Sequence, residues 1–308
     1  MVKLQNISIA LQKSKEDSSE NTGKDPEIKV GDSFADIPVC ERKACRYHIQ
    51  RKILFGIKSP AKRGSSEWRD MIRQSYVRQI KEYPQANYTF YVSRASSDFA
   101  EGLRNETEAY RDILVLGHLP ESRRIGCTMK TVEFFKAATR PGAPRYDWIC
   151  HVDDDSYLQV YRMMERLLLN SKVAPNRTVI ARKLVGTDTD NSTFDYPGGQ
   201  LYCLSWDLAA AYAARIHDVM PHLRVENASN WPDEDLLAGL FLFRAGLAKS
   251  TTFITLPNPV AYDVGRNKNL NAWYHVPNPR HGIVPHKLKT PQRFRDIVEL
   301  YEATHLRG

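Results

Sequence analysis

The apolar run Trp148-Ile149-Cys150-His151-Val152 ends in three consecutive carboxylates, Asp153-Asp154-Asp155, and an amphipathic stripe follows directly. Val160, Met163, Met164, Leu167 and Leu168 recur at i, i+3, i+4, i+7 and i+8, the pattern of a helix packed on a core. A strand feeding such a helix constrains the chain to the α/β class. It also sets the acids at a strand's carboxyl end, where open α/β sheets bind ligands. Adjacent carboxylates repel one another, so a divalent cation is their natural occupant. On extended backbone Asp153 and Asp155 point to one side and Asp154 to the other, making Asp-x-Asp the usable unit. Mg²⁺ or Mn²⁺ held by two carboxylates keeps positions that phosphate oxygens can fill, which suits a diphosphate-bearing substrate. A solvated acidic turn would carry the same three letters; the helix that follows favours the metal reading.

Other segments repeat the alternation of strand and helix. Lys52 to Ile57 reads as a buried strand and Glu67 to Val77 as the helix after it. Tyr88 to Val92 and Ile113 to Leu116 read as further strands, and Cys127 to Ala138 as a helix with Met129, Val132 and Phe135 on one face. Such alternation predicts an α/β sheet of parallel strands. Neither GxGxxG nor GxxxxGK[ST] occurs, so the phosphates are not held by a Rossmann fingerprint or a P-loop.

With 308 residues, 42% of them hydrophobic and 26% charged, the chain accommodates one large domain over 46–308, preceded by an extension over 1–45. That extension, with KSKEDSSENTGKDPE, lacks an apolar period and reads as a flexible stem. The net charge of +8 suits an acidic ligand, but the basic residues are dispersed and carry no nucleic-acid-binding spacing. No segment reaches the ~20 apolar residues of a membrane span, and the amino terminus has no signal-peptide core. Yet six Asn-x-Ser/Thr sequons occur, at Asn6, Asn87, Asn105, Asn176, Asn191 and Asn227. A secretory protein whose anchor lies outside this sequence reconciles the two. Of the five cysteines, Cys150 in the strand reads as a small buried hydrophobe and Cys40 and Cys45 could pair; none has metal-site spacing.

A second acidic cluster, Asp233-Glu234-Asp235, follows Pro232 and opens an apolar helix, LLAGLFLFRAGL. One acid suffices to cap a helix. If one of the three faces the metal site, it is placed to act as a general base.

These blocks together resemble the β-1,3-glycosyltransferases of glycosyltransferase family 31, the group containing β-1,3-galactosyltransferases, β-1,3-N-acetylglucosaminyltransferases and fringe. LFGIKSPAKRGSSEWRDMIRQSYV is similar to the family's strand and Arg-rich helix, CTMKTVEFFKAA to its "LTLKT" helix, and YDWICHVDDDSYL carries its Asp-x-Asp. TFDYPGGQLYCLS resembles "YPPYCSGGGYVLS", and EDLLAGLFLFRAGL resembles the "EDVYVG" helix. The blocks come in the family's order between Ile53 and Leu247. Departures are Glu121-Ser122-Arg123-Arg124 before the "LTLKT" helix, the displaced Cys203, and Leu236-Leu237-Ala238-Gly239 for "VYVG".

The resemblance implies a GT-A fold, a mixed Rossmann-like sheet flanked by helices, and inverting transfer of galactose from UDP-galactose to a glycan hydroxyl in β-1,3 linkage. UDP-GlcNAc with N-acetylglucosaminyl transfer is the alternative. A sugar-binding protein without turnover and a metal-dependent phosphohydrolase are the other classes. Mn²⁺ or Mg²⁺ would sit on Asp153, Asp155 and His286, with His281 and His275 as competitors. Asp235 would be the base, with Asp233 and Glu234 as fallbacks. Asp154, Arg69, Arg73 and Lys130 would contact UDP, and Gly198, Gly199 and Glu234 the transferred sugar or acceptor. Partners would be a UDP-sugar and a glycoprotein or glycolipid acceptor, with no nucleic acid. The implied location is the Golgi lumen.

Overall fold

The computed structural model describes residues 51–122, 125–170, 172–219, 232–265, 274–275, 277 and 279–305. The expected stem, the start of the domain at 46, Cys40, Cys45, Arg123, Arg124, Trp231 and the sequons at Asn6 and Asn227 lie outside them. In chain order the strands are β1 (Ile53–Lys58), β2 (Ala86–Arg94), β3 (Ile113–Pro120), β4 (Trp148–Asp153), β5 (Thr178–Thr187), β6 (Thr193–Ser205), β7 (Thr252–Thr255), β8 (Ala261–Val264), β9 (Tyr274–His275) and β10 (Val284–His286). The helices are α1 (Ser65–Gln74), α2 (Tyr76–Ile80), α3 (Ala100–Tyr110), α4 (Ile125–Thr139), α5 (Val160–Met163), α6 (Trp206–Val219), α7 (Glu234–Arg244) and α8 (Pro291–His305). A wider π turn over Met164–Leu168 continues α5. None of the described helices is long and apolar enough to cross a membrane.

Seven strands form one sheet in the order β3-β2-β1-β4-β6-β5-β7, and β8 joins β9 and β10 in a second. The sheet is mixed, a correction to the parallel one expected from the alternation. β6 runs antiparallel to both its neighbours, β4 and β5, whereas the other pairs are parallel. A mixed α/β sheet flanked by helices is the arrangement that the GT-A resemblance implies.

Period-two alternation assigns the two faces. Ile53, Phe55 and Ile57 of β1 and Trp148, Cys150 and Val152 of β4 pack with Ile72, Tyr76, Phe294 and Ile297 on one side. Leu54 and Ile149 face the layer built from α4, α6 and α7. The stripe from Val160 to Leu168 is buried in the first layer, although its second half is wound wider than an α-helix.

Cys150 and Cys203 are register partners on β4 and β6 and form a disulfide, so Cys150 is not the free buried residue that its sequence context suggested. Cys127 is a free cysteine.

Gly239 sets how closely α7 approaches β6. A Cβ there would fall 2.2 Å from Tyr196 Cβ and 2.7 Å from the Asp195 carbonyl oxygen. Gly239→Ala gains about 1 kcal/mol in helix propensity, but overpacking against a neighbour's backbone costs roughly 1–3 kcal/mol. The net effect is expected to be a lower urea midpoint. A raised midpoint would mean that α7 stands away from β6.

Candidate active site

The site is built from strand ends. The parallel register of β1 with β4 sets Lys58 beside Asp153 at the sheet's carboxyl edge, and that of β8 with β10 sets Asp263 beside His286. One oxygen each from Asp153 and Asp155 and one ring nitrogen of His286 lie within 4.8 Å of one another. His286 Nε2 is 3.1 Å from Asp155 Oδ1 and 3.7 Å from Asp153 Oδ2, while its Nδ1 donates to Asp263 Oδ1 at 2.7 Å. A carboxylate behind the ring fixes which nitrogen faces a cation. Two carboxylates and an imidazole suit Mn²⁺. Asp153 Oδ1 and Asp155 Oδ2 are buried; Asp153 Oδ1 meets the Lys58 ammonium and His151 Nε2, and Asp155 Oδ2 the Lys289 ammonium. The residues therefore fit a divalent cation. His281 is exposed on a turn and joins no such group, and the side chain of His275 lies outside the described residues.

Electrostatics follow from the crowding. Burial opposes ionisation of Asp153, but Lys58, a His151 hydrogen bond and His286 hold its carboxyl well below the usual range. Burial likewise opposes the charge on Asp155, outweighed by His286 and Lys289. Asp154 carries the repulsion instead: burial, then Asp155 and Asp153, push it up to about 7. Its backbone oxygen accepts from Trp68 Nε1 at 2.7 Å. Burial would depress His286, but hydrogen bonds to Asp155 and Asp263 raise it to about 9.

The second acidic cluster meets the first through Lys58, whose ammonium lies 2.8 Å from Asp153 Oδ1 and pairs with Glu234 Oε1. His151, Asp153 and Glu234 also have metal-ligand spacing, but the Lys58 ammonium already occupies the gap between the two carboxylates. The group with Asp155 and His286, whose ring is backed by Asp263, is the better candidate for a cation. The three acids at the start of α7 now differ in kind. Asp233 is the exposed amino cap and Glu234 is held by Lys58. Asp235 accepts from Gly199 N–H at 3.0 Å and from Leu236 N–H at 2.7 Å. Burial and then the neighbouring Glu234 push its carboxyl up to about 7. A half-buried carboxylate titrating near neutrality is matched to taking a proton. Gly199 is small for a reason, since a Cβ there would sit 3.2 Å from Asp235 Oδ2. At Gly198 a Cβ would meet Gln200 Oε1 at 2.7 Å.

Arg69, Arg73 and Lys130 do not reach the cleft surface. Arg69 is fully buried; it pairs with Glu106 and donates to Ser59 Oγ at 3.2 Å and Pro60 O at 2.9 Å. Lys130 donates to Ser59 O at 3.0 Å and pairs with Glu121, which also accepts from Ala61 N–H. Arg73 is taken up by Asp70, Glu106 and Asp112. The expected contact with UDP is therefore corrected: Arg69 and Lys130 grip the loop after β1 from behind, because its buried carbonyls need donors. The front of that loop lines a cleft of about 350 Å³ with Lys62, Arg63, Ser65, Trp68, Asp154 and Lys289. Lys58, Trp68, Asp263 and Lys289 were not singled out from the sequence. Lys58 stood in the quoted LFGIKSPAKR block, one residue past the strand expected over Lys52 to Ile57.

The galactosyltransferase family pattern matches residues 67–229, just over half of the chain. The chain belongs to the galactosyltransferase family. The match runs from α1 through the Asp-x-Asp strand and β6, and glycosyl transfer is the family's class of chemistry. Asp235 lies beyond the matched span, so its part in the site rests on geometry. No curated protein matches the sequence. Among solved structures, the WbbM bifunctional glycosyltransferase has a TM-score of 0.43 at 10% identity, covering 84% of this chain and 52% of that one. Mouse xyloside xylosyltransferase 1 has a TM-score of 0.40 at 7% identity, with 77% and 99% covered. The mannosyltransferase PcManGT from Pyrobaculum calidifontis, in complex with GDP-Man and Mn²⁺, has a TM-score of 0.37 at 10% identity, with 69% and 56% covered. The chain thus spans about half the length of the first and third of these.

Proposed function

We propose that this family member is an inverting galactosyltransferase that moves galactose from UDP-galactose to a glycan hydroxyl, forming a β-1,3 linkage, with Mn²⁺ or Mg²⁺ as cofactor. The observation that carries the reading is the junction of the two acidic clusters at Lys58, which joins Asp153, a member of the Asp153, Asp155 and His286 group, to Glu234, the residue next to Asp235. A divalent cation held by Asp153, Asp155 and His286 would offset the charge that builds on the diphosphate as UDP leaves. The basic side chains of Lys62, Arg63 and Lys289, with the amino end of α1 at Ser65, give the cleft an anion-binding wall. Asp235 takes the proton of the acceptor hydroxyl while that oxygen bonds to the anomeric carbon. The bond from that carbon to the diphosphate breaks with its electron pair going to UDP. Attack from the face opposite UDP inverts the anomeric centre.

Two features favour the Golgi lumen, an oxidising compartment with glycosylation machinery. Cys150 and Cys203 are disulfide-bonded, and the described sequons Asn87, Asn105, Asn176 and Asn191 are all exposed. The test is a panel of UDP-sugars with Mn²⁺ and varied glycoside acceptors, the product linkage being read by NMR. Transfer from UDP-galactose is expected. Preference for UDP-GlcNAc would replace the donor, and free phosphate without a glycoside would replace the reaction class.

A further inference from the structure

Resting on the assignment of Asp235 as base, we propose that His151 is a positioning residue that holds the base through the backbone of Gly199. His151 has no exposed surface. Its Nε2 lies 2.9 Å from Gly199 O, and a carbonyl only accepts, so Nε2 carries the proton of that bond. Its Nδ1 lies 2.5 Å from the Tyr91 hydroxyl, which in turn lies 3.1 Å from Thr131 Oγ1. Stacking fixes both rings, His151 against Tyr202 at 4.8 Å and Tyr91 against Phe134 at 4.6 Å. One side of residue 199 is therefore tied to a rigid aromatic layer. The other side, its N–H, donates to Asp235 Oδ2 at 3.0 Å.

The sequence places this link where it matters. Residues 197–199 are Pro-Gly-Gly, backbone with little side-chain anchoring of its own. The described ladder between β4 and β6 ends at Val152 and Leu201, two residues short of Gly199. His151, on β4, continues the connection through its side chain. Without it the Gly199 amide is free to shift, and a shift of about 1 Å in a catalytic group can cost roughly 10²-fold in rate.

A competing route exists, since His151 Nε2 is also 3.3 Å from Asp153 Oδ1. Through that contact His151 would serve the cation site instead. The experiment separates the two. His151→Phe, His151→Gln and Tyr91→Phe are assayed with the acceptor identified by the panel, each alone and with Asp235→Asn. UDP and Mn²⁺ affinities are read by calorimetry. His151→Phe is expected to lower kcat about 10²-fold with donor KM and Mn²⁺ affinity unchanged. His151→Gln, whose amide supplies an N–H to Gly199 O, should recover most of that loss. On the Asp235→Asn background, His151→Phe should add little, as expected for residues that act as a unit. Tyr91→Phe keeps the core volume and provides a folded variant, checked by thermal melting, if His151→Phe fails to fold; a kcat loss of the same sign is expected.

Full kcat in His151→Phe, an equal loss on both backgrounds, or a fall in Mn²⁺ affinity would each overturn the proposal. If Asp235→Asn is inactive while the His151 variants are fully active, only the positioning role falls. If Asp235→Asn is fully active, the base assignment falls and takes the positioning role with it.

Discussion

Asp155→Ala is expected to lose roughly 10³-fold or more in transfer rate, because cation stabilisation of a leaving diphosphate is worth several kcal/mol and each 1.4 kcal/mol is about tenfold. The mutation removes one of three clustered ligands and leaves Asp153 and His286 unable to enclose a cation between them. It also frees the Lys289 ammonium that now pairs with Asp155. The fold should survive, since Asp155 lies in the turn after β4 and the disulfide of that strand is untouched. Chelation of wild-type protein should produce the same loss, restored by added Mn²⁺, whereas added Mn²⁺ should not restore Asp155→Ala at concentrations that saturate wild type. Calorimetry with Mn²⁺ and UDP provides the check. Mn²⁺-dependent UDP binding equal to wild type in the variant would remove Asp155 from the ligand set.

Much of this site could be read from the sequence because its signals are local. The Asp-x-Asp at a strand tip is defined by its neighbours, and so is the acid cluster opening an apolar helix. What sequence reasoning missed depends on register between distant strands. Lys58 meets Asp153 and Asp263 meets His286 through parallel pairings, and no local pattern encodes which residues face each other across a sheet. β6 went unassigned because Pro197, Gly198 and Gly199 look like a turn. The chain keeps them in a strand by shifting register opposite Ala181 and Lys183, the kind of irregularity where proline and glycine are tolerated within sheets. That irregularity presents the Gly199 amide to Asp235.

The arginines of α1 show the opposite failure. Their place beside a suspected phosphate site suggested ligand contact, yet Arg69 faces inward to Glu106, Ser59 Oγ and the Pro60 carbonyl. A buried guanidinium with a bidentate carboxylate is satisfied within the protein. The basic side chains that line the open cleft are Lys62, Arg63 and Lys289, the last paired with Asp155, and no periodicity marks them.

Asp235→Asn is expected to lower kcat by about 10²–10⁴-fold, the usual worth of general-base catalysis, with UDP and Mn²⁺ affinity near wild type. The near-isosteric amide can still accept from one of the two backbone donors that hold the carboxylate, so packing changes little. Wild-type activity should also carry the signature of this group. Burial and the charge of Glu234 raise the Asp235 carboxyl to about 7, and only the ionised form takes a proton. The rate at saturating donor should therefore fall about tenfold per pH unit below that value and level off above it. Folding stability has the opposite slope: a carboxyl raised from 3.8 to about 7 stabilises the fold while protonated, and that contribution is lost as pH rises through the interval. Asp154, also raised to about 7, gives stability the same slope, so the share that belongs to Asp235 is the part of the slope lost in Asp235→Asn. Asp235→Asn should abolish the acidic limb of the rate profile along with most of the rate. If the limb persists unchanged in that variant, another group sets it. If Glu234→Gln loses the rate while Asp235→Asn keeps it, the base is Glu234, and Lys58 must release it before the acceptor proton can move.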